Sequence, residues 1–189
     1  MRAPGVTVAP LRQLNGDTDF NQIVLSGARV RDEDVVGEPG QGWSVALATL
    51  AHERGTFGIT LTARLSAQFT RMLATVHRYG AQGDPLVRRE VAELHTRLQG
   101  LRYTGYRSLA AQRRAGEPGP EATLLKLEWS LVHQRVCALA LRVQGADAAL
   151  DGYWQHQLLR SRANTIEGGT SEILRGIIAE RVLGLPRSR

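Results

Sequence analysis

The sequence is short of three things. It has one cysteine, Cys137, and one lysine, Lys126, and aromatic residues make up only 5% of its 189 residues. A lone cysteine excludes an internal disulfide and any metal site built from several thiolates. With one lysine among 24 basic residues the positive charge is almost wholly arginine, set against 18 acids for a net +6. Those arginines sit beside acids, as in Arg31-Asp32-Glu33-Asp34 and Arg88-Arg89-Glu90, and no basic tract is interleaved with aromatics. That arrangement points away from nucleic acid. Long apolar runs are missing too, because Arg142 and Arg181 interrupt the best candidates before the ~18–20 residues a membrane span requires. The start, Met1-Arg2-Ala3-Pro4-Gly5, has no apolar secretory core. These absences predict a soluble, cytoplasmic protein with no membrane insertion.

What is present is alanine, leucine and valine, which favours helix over sheet. Only the first forty residues differ. They hold two strand-like pieces, Gly5-Val6-Thr7-Val8 and Phe20 to Leu25, separated by the turn-forming Asn15-Gly16-Asp17. A two-stranded hairpin is marginal in water, so these read as the tail of a larger β-structure. From Gly42 the spacing turns helical. Trp43, Leu47, Leu50, Phe57, Leu61, Leu65, Phe69, Met72 and Val76 mark one face of a helix reaching Tyr79, ended by Gly80 and Gly83. Asp84-Pro85 then opens a second helix along Val87, Val91, Leu94, Leu98, Leu101 and Gly105. Pro120 opens a third, with Leu124, Leu127, Leu131, Ala138 and Leu141 on one face and Leu125, Val132, Val136, Leu139 and Val143 beside it. Gly145 stops it. Shorter helices are expected from Tyr153 to Ala163 and from Ser171 to Leu183, the last capped by Thr170 and terminated by Gly184-Leu185-Pro186. The expected fold is therefore all-α, an antiparallel up-down helical bundle of the four-helix type with a short N-terminal β remnant. The expected domains are 1–40 and 41–189. Two apolar seams on one helix imply several neighbours and suggest an oligomer.

Three stretches go beyond generic helix: Gly40-Gln41-Gly42-Trp43, Glu53-Arg54, and Glu167-Gly168-Gly169-Thr170-Ser171-Glu172-Ile173 running on to Ile178-Ala179-Glu180-Arg181. In order and spacing they resemble the flavin-dependent acyl-CoA dehydrogenases. Residues 1–40 resemble the end of that family's middle β-domain and 41–189 its C-terminal helical domain. The resemblance implies α,β-dehydrogenation of an acyl-CoA thioester with FAD as hydride acceptor. It also implies a homo- or hetero-oligomer, dimer or tetramer, with another acyl-CoA dehydrogenase subunit. About half of a normal subunit has no counterpart here, so the isolated chain is expected to be inactive. The alternative is a non-catalytic helical subunit that completes or scaffolds a partner.

Such chemistry needs a carboxylate base to remove the thioester's α-proton. In the commonest family pattern it immediately precedes Gly-Thr, where this sequence has Gly168. Glu167, one residue earlier, points elsewhere. Isovaleryl- and long-chain-type members instead place the base on the first helix, immediately before an arginine. Glu53-Arg54 matches that arrangement, so the resemblance implies Glu53 as base with Arg54 supporting it. It further implies cofactor contacts at Gly169, Thr170 and Glu172, at Gln144-Gly145 where the family has a Gly-Gly loop, and at Arg78. The family's usual pyrophosphate arginine falls at Val76. Cys137 reads as a buried thiol, Trp43, Trp129 and Trp154 as packing anchors, and the five histidines lack metal-type spacing.

Overall fold

The computed structural model describes residues 1–115, 119 and 121–186; the side chains of 51–59, 115 and 121 lie outside that description. The chain divides into two compact units, Met1–Thr49 and Leu50–Arg189. In the first, β1 (Val6–Leu11) and β2 (Phe20–Leu25) pair antiparallel, with Val6 opposite Leu25 and Leu11 opposite Phe20. The bend between them forms where expected: Asn15 Nδ2 donates to Asp17 Oδ2 at 2.6 Å, and Gly16 takes φ +91°. Gly5 closes the other end. Its amide oxygen accepts from the Ser26 N–H at 2.7 Å, and an added Cβ would lie 2.5 Å from the Ser26 carbonyl oxygen. Apart from Val6 the ribbon is exposed on both faces.

The helices follow the predicted order: α1 (Gly42–Arg78), α2 (Pro85–Ala115), α3 (Glu121–Gln144), α4 (Tyr153–Ser161) and α5 (Ser171–Arg181). Their ends have local causes. Gly80 turns left-handed at φ +68°, and Asp84 Oδ1 then accepts the Leu86 N–H at 2.7 Å to cap α2. Gly145, at φ +58°, ends α3. Thr170 caps α5 by accepting from the Ile173 N–H, and α5 stops two residues short of the expected Leu183. Pro120, expected at the start of α3, lies outside the described residues.

Within the second unit the core joins Leu61, Leu65, Phe69, Met72 and Val76 of α1 to Leu94, Leu98 and Leu101 of α2, to α3, and to Trp154 of α4. The all-α bundle with a β remnant is as expected, with one refinement on α3 and two corrections on α1. On α3 the deeper seam is Leu125, Val132, Val136 and Leu139, whereas Leu124, Leu127, Leu131 and Leu141 are half-buried and Ala138 is exposed. Two adjacent seams on one helix have the same period, so spacing alone does not say which faces the centre. Trp43, expected as an anchor, is 76% exposed, its ring left uncovered by the described residues. Leu47 and Leu50 are exposed as well, so α1 contributes described core only from Leu61 onward. Trp129 and Trp154 are buried as expected, and Trp154 Nε1 donates to Thr75 Oγ1 at 2.9 Å.

The outer edge of the α2–α3 contact is fastened by ion pairs: Arg97 with Glu128, Arg135 with Glu93, and Arg142 with Glu90. Where α3 meets α4, one buried polar group stands out. His133 stacks on Trp129, ring centroids 5.5 Å apart, and its Nδ1 lies 2.6 Å from Asn164 Nδ2. Burial, then the nearby Arg160 and Arg162, push its pKa down to about 4. The imidazole is therefore neutral in the fold, and an amide N–H donating to Nδ1 leaves the ring proton on Nε2. Cys137 is fully buried and its thiol is pushed up to about 12 by burial, the behaviour of a core residue and not of a nucleophile.

Leu94 is fully buried, so Leu94→Ala is expected to cost about 2–5 kcal/mol, read as a lower denaturation midpoint at unchanged slope. His133 gives a pH dependence. Between pH ~6.5 and ~4 the unfolded chain binds a proton that the folded chain refuses, so stability is full above that window and falls through it on acidification. A drop from 6.5 to about 4 corresponds to about 3 kcal/mol. Thermal melts from pH 7 to 4 check it, with His133→Gln expected to flatten the slope.

Candidate functional site

Residues 168–172 form the best-defined part of the site. Gly168 and Gly169 both take positive φ, +62° and +104°, a double bend open to glycine and strained for other residues. Thr170 leaves the bend extended and caps α5 with its hydroxyl. Ser171, in the first turn of α5, is buried, and its Oγ has no hydrogen-bond partner among the described residues. Behind the bend stands Lys126 of α3, only 8% exposed, whose Nζ donates to the Gly169 carbonyl oxygen at 2.7 Å. Glu172 points outward: its carboxylate is exposed and 3.6 Å from Arg175 of the same helix.

Glu167 is engaged elsewhere. Both of its oxygens accept from Arg160, at 3.2 and 3.0 Å, which ties the end of α4 to the connection before α5. A carboxylate held by both oxygens in a guanidinium fork is poorly placed to take a substrate's proton. Glu53 and Arg54 lie on the helical backbone of α1, but their side chains lie outside the described residues.

The other expected cofactor residues gather at the far end of α3. Gln144 and Lys126 are separated by about 27 Å along the helix axis at 1.5 Å per residue. There Gln144 is internally occupied: its Nε2 donates to the Ala140 carbonyl at 3.1 Å, and its Oε1 accepts from Gln155 at 3.2 Å. Gln155 also donates to the carbonyls of Asp147 and Ala148, so α4 braces the loop that Gly145 begins. Tyr79 donates to Asp147 Oδ2 at 2.9 Å, and this bond holds the phenol above its ordinary pKa. Arg78 is exposed beside the Tyr79 ring, while Val76 belongs to the core. The structure thus brings Arg78, Gln144 and Gly145 to one end of the bundle and Gly169, Thr170 and Glu172 to the other.

Sequence reading missed Lys126 as a site residue. The available signal was its place between Leu125 and Leu127 on an otherwise apolar stretch of α3, where a charge must find a partner. It missed Gln155 as well, for which a glutamine on a short helix gives no signal. An open groove of about 570 Å³ at the α2–α3 end is lined by Asp84, Glu90, Glu93, Arg135 and Arg142, whose charges largely pair with one another. It contains none of the expected residues. Among the described residues no cluster of His, Cys, Asp or Glu is placed to hold a metal ion, and no helix is long and apolar enough to cross a membrane.

A model of the acyl-CoA dehydrogenase C-terminal domain matches residues 40–183. The acyl-CoA dehydrogenase IpdE1 of Mycolicibacterium smegmatis is 39% identical over 189 residues, covering 97% of this chain and 47% of that protein. IpdE1 of Mycobacterium tuberculosis is 37% identical, covering 97% of this chain and 49% of that protein. A solved structure, the Tcur3481-Tcur3483 steroid ACAD, is 26% identical with a TM-score of 0.84, covering 98% of this chain and 50% of that one. The chain spans about half the length of these relatives. It belongs to the acyl-CoA dehydrogenase family, within which residues 40–183 match the C-terminal helical domain.

Proposed function

We propose that this chain is the C-terminal portion of a working acyl-CoA dehydrogenase, removing the elements of H2 across the α,β-bond of an acyl-CoA thioester. Glu53 takes the α-proton, and Arg54 holds Glu53 or its helix in place. FAD, when bound, accepts the β-hydrogen as hydride. The observation that carries this reading is the bend at Gly168. Where the common family pattern has its carboxylate, this chain has left-handed backbone and no side chain. Glu167 next to it is held by Arg160, so the base must come from elsewhere, and Glu53-Arg54 matches the family's other arrangement. The domain division proposed is 1–40 for the β-domain tail and 41–189 for the bundle.

The turn at Gly169–Ser171 fits a flavin. The start of α5 presents first-turn backbone N–H groups, and beside them the Ser171 hydroxyl is buried with no partner among the described residues. Gly169, Thr170 and the Ser171 hydroxyl would hold part of the cofactor, with Glu172 turned away. Arg78 and Gly145 sit about a helix length from that turn, so they serve a different portion of the cofactor or a second copy of it. That division favours an oligomer, homo- or heteromeric, dimer or tetramer, whose subunits share sites. The likeness to a steroid ACAD supports including bulky polycyclic acyl groups in the proposed substrate class.

Two observations favour a second reading, a non-catalytic subunit that completes or scaffolds a partner. Gln144 has its amide engaged inside the protein, and Val76 fills the core where the family's arginine would stand.

Two outcomes decide between them. Purified protein, alone and with the product of an adjacent gene, is assayed for flavin absorbance and dye-coupled acyl-CoA oxidation. Colour and turnover in the assembly, with Glu53→Gln lowering kcat by about 10²–10⁴-fold at retained flavin, support the enzyme; an unchanged rate removes Glu53 from the role, and no flavin under any pairing leaves the scaffold. Separately, Gly168→Glu is expected not to rescue Glu53→Gln. It places a side chain at φ +62°, which costs about 1–2 kcal/mol, and the new Cβ lies 3.7 Å from the Lys126 stem. A lowered melting temperature without regained turnover is the expected result.

A further inference from the structure

We infer that Lys126 is a positioning residue for the Gly168–Thr170 turn and, resting on the reading above, for the flavin-facing start of α5. Two consecutive glycines at positive φ make a bend with no preferred shape of its own, since glycine visits many backbone states at little cost. Something outside the bend must select one. Lys126 meets it twice: the ammonium donates to the Gly169 carbonyl oxygen at 2.7 Å, and the stem passes 3.7 Å from where a Gly168 Cβ would be. Lys126 is 8% exposed, which shields its side of the bond from water, and a cation donating to a carbonyl makes one of the stronger hydrogen bonds a protein forms.

The root of the clamp is rigid. Lys126 lies between Leu125, at 3% exposure, and Trp129, at 8%, and its own carbonyl accepts from the fully buried Ser130 hydroxyl at 2.6 Å. The fixed side is therefore α3, and the positioned side is the turn. From the turn the effect passes directly into α5, because Thr170 caps that helix and Ser171 is its first residue. Losing the ammonium frees the Gly169 carbonyl, so the direction of the first α5 amides and of the Ser171 hydroxyl is no longer set. The helix itself has its own cap and persists.

The test uses the full chain with Lys126→Met, which keeps the stem and drops the donor, and Lys126→Arg, which keeps charge and donors. Hydrogen exchange is followed at amides 169–174 and at the α3 core, 132–140. Lys126→Met is expected to speed exchange at the turn by about 10- to 100-fold, the range for losing a charged hydrogen bond, with core amides within about twofold and Lys126→Arg recovering most of the protection. Acceleration spread evenly over both regions, or none at the turn, overturns the assignment. Should Lys126→Met fail to fold, the wild-type chain decides it. With 15N-lysine it carries one labelled side chain, and a slowly exchanging ammonium signal supports the clamp while solvent-averaged exchange refutes it. In an assembly that binds FAD, Lys126→Met is expected to raise the Kd for FAD about tenfold, with Lys126→Arg restoring it. An unchanged Kd beside altered exchange confines Lys126 to shaping the turn and overturns its flavin-facing role. If wild-type protein takes up no FAD in any pairing, the cofactor reading and that role fall together, and the exchange data alone decide the clamp.

Discussion

The burial of α3 is the constraint from which the second unit follows. Val132, Val136, Cys137, Leu139 and Ala140 are all fully inaccessible, and at 100° per residue they spread over about 160° of the helix circumference. No single neighbour covers so wide an arc. The chain folds α1, α2, α4 and α5 around it, and the polar groups that α3 cannot avoid burying are met from the same elements: Asn164 for His133, Gly169 for Lys126, the Ser161 carbonyl for Gln134. Apolar area supplies the driving force here, and these hydrogen bonds supply register, because each is satisfied only when the connection between α4 and α5 lies at one height along α3.

That height has a functional side. A helix of 24 residues separates the two sets of residues proposed for the cofactor, one at each end. The end near Gly145 is braced by Gln155 and Tyr79, and the end near Gly169 by Lys126. Both are loops with left-handed glycines held from behind by a side chain of a neighbouring helix, so α3 acts as a ruler that fixes two flexible segments at a set distance. On the proposed reading, in which subunits share sites, that fixed distance lets each copy present both segments together.

Much of this was legible in the sequence. The ends of elements were the clearest, because the side chains of Asp84 and Thr170 and the backbone of Gly145 act on residues within a turn of themselves, and local chemistry is written locally. The family kinship was equally plain from the segment around Gly168–Glu172. Less legible was direction. The two seams of α3 share one period, and the sequence left open which of them is the deeper. Trp43 reads as an anchor by type, yet covering it requires atoms from elsewhere in space. Gln144 matched a cofactor position by alignment, whereas its amide bonds to Ala140 and Gln155 depend on where α4 packs. The lysine was visible as an oddity of composition and not as a clamp, because its partner is a backbone carbonyl 43 residues away.

The arginine-for-lysine habit also shapes what can happen to this surface chemically. Every ion pair along the α2–α3 edge uses a guanidinium, and the one lysine is enclosed behind the Gly168 bend. Acyl thioesters acylate exposed primary amines slowly and without any enzyme, and amine-directed crosslinkers and tagging reactions seek the same group. This chain has a single ε-amine, and at 8% exposure it sits behind the bend, so such reagents meet little of the side-chain group they seek here.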